Sequence, residues 1–386
     1  MLEDIINDAT LQLAKYFLGV GEASQNLAFS GLLSYLTLAV VNVGLGGQTK
    51  YQLSEYLHYN FTFTRKRKRN DFHTEKKVYL LGMDQLQNIS VVHSSIFHSG
   101  RIQTSFMKMA TEIFDLDFIL TNSSDITQRM QIIQEWLHER MPIINAHSYA
   151  IPIENQFSTI ILNTCYIQHE WEQIFNKERT TAQIFIGPEG NTWVQMMNNT
   201  DGFRYYEDHR NGAKLVYLPF KDQDIYGAIV LPNPAIRIES VLVKVNWFRY
   251  STIKEVNLMM PKFKIGNIID MKRPLNNFNI TRLFSREDAN MSIMMTDSGY
   301  LNDYFQFSSI DINEFGSYVK VEPEKYVEDE SEVYFSNSTG FSPKIINFHV
   351  NRPFIFFIYD RTNRLILFIA VVKNPISDWR YLYDPK

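Results

Sequence analysis

The sequence predicts an α+β fold, with helices in the first part of the chain and a large β-sheet component after it. Apolar residues recur at helical spacing up to about residue 140, and β-branched and aromatic runs take over from Ser158 onward. Helices followed by strands are typical of α+β folds with a large antiparallel component. Neither an internal repeat nor a Pro/Gly-rich linker interrupts residues 1–386, so a single domain is expected.

The helical elements follow from the spacing of apolar residues. "MLEDIINDATLQLAKYFLG" has the pattern of an amphipathic helix. Residues 23–49 carry no charge, but polar residues interrupt the apolar run and glycines end it, which favours a buried core helix over a membrane span. Further helices are predicted at 71–87, 104–115 and 125–140, the last beginning near an Asp and ending before a proline.

The strands are predicted from runs rich in β-branched and aromatic residues. They are "STIILNTCYI", "GAKLVYLPF", "IYGAIVLP", "TIKEVNLMMPKFKI", "RPFIFFIYD" and "RLILFIAVV", with a turn at "RTN" between the last two. Hydrophobic residues make up 45% of the chain and aromatic residues 14%, so these elements can bury a large core. The formal net charge of −4 gives no general attraction to nucleic acid or to an anionic membrane.

The sequence lacks the motifs of an enzyme or of a bound cofactor or metal. GxSxG and HExxH are absent, and "VGLGGQTK" completes no phosphate-binding loop. The single cysteine, Cys165, lies in an apolar run that is typical of a buried inert thiol. His169 would share its face of a strand but lie too far away to contact it. Catalysis, cofactors and metals are therefore not expected.

Two features bear on location and partners. The N-terminus lacks the features of a signal peptide, so the protein is either intracellular or secreted with its signal already removed. Six glycosylation sequons, at Asn60, Asn88, Asn122, Asn198, Asn279 and Asn337, favour secretion and a glycoprotein. The basic run Arg65, Lys66, Arg67, Lys68 and Arg69 is typical of a solvated loop, but it could also bind a heparin-like polyanion or be a processing site.

Landmarks along nearly the whole chain resemble those of the serpin family. "NLAFSGLLSYLTLAVVNVGLGGQTK" is similar to the segment in which a buried helix begins with Asn-x-x-Phe-Ser and ends in Gly-x-x-Gly-x-Thr. "LNTCYIQHEWEQIFNKERT", "WVQMMNN", "YLPF", "IVLPN" and "MPKFKIG" follow in the family's order, and "NRPFIFFIYDRTNRLILFIAVVKNP" resembles its C-terminal hairpin. The sequence is identified as a divergent, insect-type member on the order and spacing of these landmarks together.

The resemblance implies a serpin fold, with helices around a large central mixed β-sheet, smaller antiparallel sheets and an exposed reactive centre loop at about 316–342. In this family a protease cleaves the loop, and the loop then inserts as a new strand in the central sheet. Three departures from the family pattern, namely Gly31 for Pro, Leu33 for a second core Ser and Ala370 for Gly, put easy opening of the sheet in doubt.

The hinge of the predicted loop is also atypical. Gly316 and Ser317 match the family's Gly-Thr, but the small residues that normally follow are replaced by "YVKVEPEK". If Ser317 points inward, Val319 and Val321 do so too, which makes an acceptable strand. Pro323 then lacks an N–H for the sheet, and Lys325 and Asp329 would face the core at a cost of several kcal/mol, roughly. Insertion is predicted to fail after Val321.

The cleaved bond is not fixed by the sequence. Counting from Gly316 by the family spacing gives Glu330–Ser331, whereas counting back from Pro353 gives a bond near Thr339–Ser342. Tyr334 and Phe335 would suit a chymotrypsin-like protease. Two functions follow: a secreted, monomeric serpin with weak or lost inhibition that acts as a binding protein or protease substrate, or a working suicide inhibitor of an extracellular serine protease.

Overall fold

The computed structural model describes residues 2–21, 25–58, 82–121, 125–141, 158–221, 224–241, 243–317, 345–376 and 380–381. The helices within these ranges are α1 (Leu2–Val20), α2 (Gly31–Val43), α3 (Gly47–Tyr56), α4 (82–89), α5 (Thr104–Phe114), α6 (Ile126–Arg140), α7 (Trp247–Tyr250) and α8 (Lys272–Asn277). The predicted helices at 104–115 and 125–140 are confirmed. The predicted helix at 71–87 is confirmed from residue 82, and its first part lies outside the described residues.

The central sheet is mixed, as predicted. It contains β2 (Ser90–His98), β3 (Leu116–Leu120), β4 (Thr159–Ile167), β5 (His169–Glu170), β11 (Phe263–Asp270), β12 (Leu301–Asn313), β13 (Gly316–Ser317) and β17 (Arg380–Tyr381). In the described part of the chain the strand order is β17-β11-β12-β4-β2-β3, and β13 lies between β12 and β5. The neighbours β4 and β12 run parallel, and each is also paired with an antiparallel strand.

A second sheet contains the remaining strands of the described residues. They are β1 (Leu27–Phe29), β6 (Thr181–Gly187), β7 (Gly190–Asp208), β8 (Ala213–Pro219), β9 (Ile225–Pro232), β10 (Thr252–Pro261), β14 (Ile346–His349), β15 (Phe354–Asp360) and β16 (Leu365–Val372). The order is β1-β16-β15-β9-β8-β7-β10-β14, with β6 also on β7. The smaller antiparallel sheets of the prediction are joined into one because the long β7 pairs with β6, β8 and β10 along its length.

Helix α2 is the predicted buried core helix. Every residue from Gly31 to Val43 is buried, and Ser30 caps its N-terminus by accepting a hydrogen bond from the Leu33 amide. Since α2 contacts both β16 of the second sheet and strands of the central sheet, the main core surrounds it on all sides. Among the described helices, none is long and apolar enough to span a membrane.

The three departures from the family pattern have visible packing consequences. Gly31 lies against α1, where a Cβ atom would be 2.2 Å from the Thr10 hydroxyl oxygen, so this close helix approach requires the glycine. Leu33 is buried in the main core, and the neighbouring Ser34 hydroxyl accepts a hydrogen bond from Gln306. Ala370 is fully buried opposite Ala28 and Phe356.

Candidate functional site

The candidate site is the line along which β4 and β12 pair, which we call the seam, together with the point after Tyr166 and Ser309 at which the two strands separate, which we call the fork. The two strands pair directly from Leu301 opposite Thr159 to Ser309 opposite Tyr166. Beyond this point they separate, and β13 occupies the gap between β12 and β5. The hinge residues Gly316 and Ser317 are therefore part of the central sheet, while β4 and β12 remain paired with each other along the seam.

Ser317 fills the fork. Its side chain is fully buried, and its hydroxyl donates to the Ile167 carbonyl oxygen at 2.8 Å and accepts from the Asp311 amide at 3.3 Å. One hydroxyl thus bridges β4 and β12 where the strands part. The prediction that 316–340 is exposed is wrong for Gly316 and Ser317, because backbone pairing and this hydroxyl draw both residues into the sheet.

Gly316 is required by the backbone geometry. Its φ of +141° lies in a region that side chains rarely adopt. A Cβ atom there would be 2.1 Å from the His169 carbonyl oxygen and 2.8 Å from the Glu170 Cα. Since both obstacles are backbone atoms of β5, no side-chain rotation could remove the clash.

An ion pair anchors the chain just before the hinge. The Glu314 carboxylate, only 4% exposed, lies 2.9 Å from the Lys262 ammonium and accepts a hydrogen bond from the Thr180 hydroxyl at 3.0 Å. Burial by itself raises the pKa of Glu314, but the hydrogen bonds from Lys262 and Thr180 outweigh it and hold the pKa below its ordinary value. The carboxylate therefore ties β12 to the segment that leads into β6.

Trp171 holds the turn between β12 and β13. Its backbone amide donates to the Phe315 carbonyl at 2.9 Å, and its indole N–H donates to the Asn313 carbonyl at 3.1 Å. The indole ring stacks on Phe220 with 4.3 Å between centroids. These contacts fix the direction in which the chain leaves the sheet.

Polar contacts tie both strands of the seam to α2. Gln306 of β12 accepts from the Ser30 amide at 2.9 Å and donates to the Ser34 hydroxyl at 3.1 Å. Asn163 of β4 donates to the Thr37 hydroxyl at 2.7 Å. Because all of these groups are buried, separating the strands would break hydrogen bonds that water could not readily replace.

The opposite face of the seam is apolar and covered by α6. Side chains from β4 and β12 pack with side chains of α6 in one buried cluster that includes Ile133, Trp136, Leu137, Ile160, Leu162, Phe305 and Phe307. A strand that entered the seam would have to fit between polar anchors on one face and this apolar cluster on the other.

Many of the remaining predicted site residues lie outside the described residues. They are Val319, Val321, Pro323, Glu330, Ser331, Tyr334 and Phe335, the basic run 65–69, and Asn60, Asn122 and Asn337. Asn88 and Asn279 are exposed and Asn198 is half-buried. Cys165 is fully buried, and burial raises the pKa of its thiol to about 12. Among the described residues, no cluster of three or more His, Cys, Asp or Glu side chains could hold a metal ion.

Sequence reasoning missed several residues of the site. Gln306 carries no signal in the sequence, and Thr180 is marked only by its place in "LNTCYIQHEWEQIFNKERT", because a buried polar contact is recognised only once its partner from a distant strand is known. Lys262 is marked only by its place in "MPKFKIG". At Glu314 the signal is weak: a charge next to Phe315, just after the end of β12.

Comparisons with known proteins agree with this geometry. The family model described as "Serpin (serine protease inhibitor)" matches residues 5–375. "Serine protease inhibitor 2" of Anopheles gambiae is 29% identical over 66% of this chain, and the match spans 62% of that relative, under two thirds of its length.

Two solved structures share the fold. Human thyroxine-binding globulin with thyroxine superposes with a TM-score of 0.81 at 18% identity, over 97% of this chain and 99% of the other. Native protease nexin-1 with heparin superposes with a TM-score of 0.79 at 19% identity and the same coverage.

Proposed function

The chain belongs to the serpin family, and on that premise we propose that it presents residues 318–344 to a serine protease but inhibits weakly, acting as a protease substrate or binding protein. The observation that supports the proposal best is the register in which β13 pairs with β12 and β5. If β4 and β12 separated, this register would determine which residues lie on either side of each inserted loop residue. Weak inhibition follows because insertion of the loop becomes unfavourable after a few residues.

Extending the register gives each inserted residue its neighbours. Ser317 lies between Ile312 and His169, so Val319 would lie between Ile310 and Ile167, which suits a valine. Position 321 would lie between Ser308 and Cys165. Position 323 would then lie between Gln306 and Asn163, where Pro323 offers no N–H to either strand.

Charged loop residues make insertion still less favourable beyond Pro323. Lys325 would lie between Tyr304 and Ile161, both fully buried in the main core. Glu324 would lie between Phe305 and Leu162, in the apolar cluster beneath α6. Burying charges without partners costs several kcal/mol each, roughly, so insertion past Val321 should not proceed.

The alternative function is suicide inhibition of a serine protease through the same loop. The observation that favours it is the hinge itself, because Gly316 and Ser317 already occupy the fork in the intact chain. A hinge that has entered the sheet has less distance to travel after cleavage. This alternative requires that the charged residues find partners as the strand enters.

An SDS gel distinguishes weak inhibition from suicide inhibition. The protein is mixed at equal molarity with trypsin, chymotrypsin or elastase and then denatured in SDS. We expect cleavage within 318–344 and no surviving band at the summed mass, because trapping requires full insertion. An SDS-resistant band with any of the three proteases would make suicide inhibition the function of this chain.

We further propose that Arg65, Lys66, Arg67, Lys68 and Arg69 bind a heparin-like polyanion, since native protease nexin-1 was solved with heparin. Five clustered cations bind by releasing counterions, so retention on heparin should fall steeply with salt. The variant with all five residues neutralised should elute at markedly lower salt. Elution of wild type and variant at the same salt concentration would contradict the proposal.

An extracellular location is part of the proposal, with Asn88 and Asn279 as the glycosylated positions, because both are exposed. Protein made in a eukaryotic secretory pathway should lose mass on deglycosylation. The variants Asn88→Gln and Asn279→Gln should each remove one glycan. Unchanged mass in both variants would contradict this assignment.

A further inference from the structure

Strand β6 is an edge strand of the second sheet, and it lacks the features that normally protect such an edge. Within the described part of the chain it pairs with β7 on one side and with no strand on the other. Proteins usually protect an edge with a very short strand, a charge, a proline or a bulge. β6 has seven residues, "TAQIFIG", without a charge, a proline or a break in its register with β7.

The other edge strands of the described residues differ from β6. β3 contains Asp117, and β14 has only four residues. β1 has three residues, all of them buried, and β5 and β17 have two residues each. Among the described edges, β6 is therefore the one best suited to pairing with a further strand.

The outward backbone groups of β6 belong to Ala182, Ile184 and Ile186. In an antiparallel pair, alternate residues bond to the partner strand and the residues between them face away from it. The Ile186 amide donates to the Asn351 carbonyl at 2.8 Å, outside the pair with β7. The Gln195 carbonyl, opposite Ala182, accepts from the segment after β10, on the far side of β7. The groups left open at the edge are therefore those of Ala182 and Ile184.

Exposed apolar side chains lie beside these open groups. Ala182 is exposed, Ile184 is 43% exposed, and Trp193, opposite Ile184 on β7, is 68% exposed. Neighbouring exposed apolar side chains mark interaction surfaces. A strand added at this edge would cover Ile184 from the side as well as satisfy its backbone groups.

The charges around β6 favour a second copy of the same strand. The turn before β6, Lys177–Arg179, contains two basic residues and one acidic residue, and the turn after β6 contains Glu189. Both Arg179 and Glu189 are exposed. Antiparallel pairing of two copies brings the start of one β6 beside the end of the other, so Arg179 of each copy approaches Glu189 of the other. Such complementary charges fix the orientation of an interface, and the neutral middle of β6 adds no repulsion.

We propose that β6 pairs with β6 of a second copy of this chain, forming an antiparallel, two-fold symmetric dimer centred on Gln183. Ala182 of each copy then lies opposite Ile184 of the other, so the open donors and acceptors of both copies are satisfied. Each copy contributes the same surface, as a two-fold interface requires. The paired residues are 181–185, and Ile186, whose amide is bonded to Asn351, lies beyond them. The monomer expected from the sequence would then be wrong.

Gln183→Cys tests the register. Residue 183 of one copy would face residue 183 of the other in a pair without mutual backbone hydrogen bonds, with Cα atoms about 4.5 Å apart, which suits a disulfide. The single native cysteine, Cys165, is fully buried. We expect oxidised glutathione to convert most of this variant to a dimer on a non-reducing gel. Thr181→Cys is the matched control, because its two copies would lie about 13 Å apart along the strands and should not crosslink.

Ile184→Lys tests the association itself. The substitution places a charge at the open edge, so we expect it to raise the dissociation constant in sedimentation at least about tenfold, with an unchanged melting temperature. Ile253→Lys is the matched control. Ile253 is 69% exposed on β10 of the same sheet, away from the β6 edge, so its dissociation constant should equal that of the wild type.

A charge exchange tests the contact between copies. Arg179→Glu and Glu189→Arg should each raise the dissociation constant about threefold, as expected for exposed ion pairs, and the double variant should restore the wild-type value. A wild-type monomer at every concentration up to the solubility limit would overturn the proposal. So would a dimer that Ile184→Lys leaves unchanged, or crosslinking of Thr181→Cys as fast as that of Gln183→Cys.

Discussion

Cleavage of the loop should leave the melting temperature of this protein within a few degrees of that of the intact chain. A fully inserted loop would add a central strand to the sheet and stabilise it strongly. In this protein the favourable part of loop insertion ends near Val321. Pro323 has no N–H to donate to Gln306 or Asn163, and Lys325 would lie between Tyr304 and Ile161. Calorimetry of the protein before and after nicking by chymotrypsin measures the difference.

The loop variant combining Glu322→Ala, Pro323→Thr, Glu324→Ala, Lys325→Ala and Asp329→Ala should behave differently; Glu322 is included because the β13 register places it between Phe307 and Thr164, both buried. With an N–H restored at position 323 and these four charges removed, nicking should raise its melting temperature by at least about 10 °C, which corresponds to roughly 5 kcal/mol at about 2 °C per kcal/mol for a large domain. Its control is Ser336→Ala, Asn337→Ala and Ser338→Ala, which alters the loop beyond a nick at Tyr334 or Phe335. A large rise in the unmodified protein would mean that its charges find partners in the sheet.

Substitution of Gly316 by valine should expel the hinge from the sheet. The new Cβ would lie 2.1 Å from the His169 carbonyl oxygen, and the φ of +141° would be strained as well. Ser317 would then leave the fork, so the Asp311 amide and the Ile167 carbonyl would lose their hydroxyl partner. Hydrogen exchange at Asp311 should accelerate about 100-fold, equivalent to about 3 kcal/mol of local opening.

Gly190→Val is the control for backbone strain alone. Gly190 also has a positive φ, of +121°, but a Cβ atom there meets nothing within 4 Å. This variant should lose some stability without changing exchange at Asp311. If Gly316→Val left exchange at Asp311 unchanged, the hinge would not be held in the fork as described.

Much of the fold was predictable because its signals are local. The periodicity of α6, the Asp125 cap and the β-branched runs of β9, β15 and β16 each depend on neighbouring residues alone. The resemblance supplied the topology, which local patterns could not. Strand β12 was missed because "LNDYFQFSSIDIN" mixes polar and apolar residues, and its polar members are buried by contacts with α2 that only the folded chain provides.

The site was only partly predictable for the same reason. The hinge residues follow from the family landmarks, and strand alternation relates the directions of Val319 and Val321 to that of Ser317. The burial of Gly316 and Ser317 does not follow in this way, because it depends on β5, a two-residue strand that no sequence pattern marks. The apolar cover of α6 over the seam likewise appears only when Phe305 and Leu162 are seen beside Trp136.

Hydrogen exchange of the nicked protein tests most directly whether the cleaved loop fails to insert between β4 and β12. The amides to follow are those of residues 159–167 and 301–309, which pair across the seam, and those of the loop residues 319–331. We predict that nicking leaves the exchange of both seam strands unchanged and that protection of the loop stops at or before Val321. Strong new protection extending through residues 323–331 would show a fully inserted strand and contradict the account.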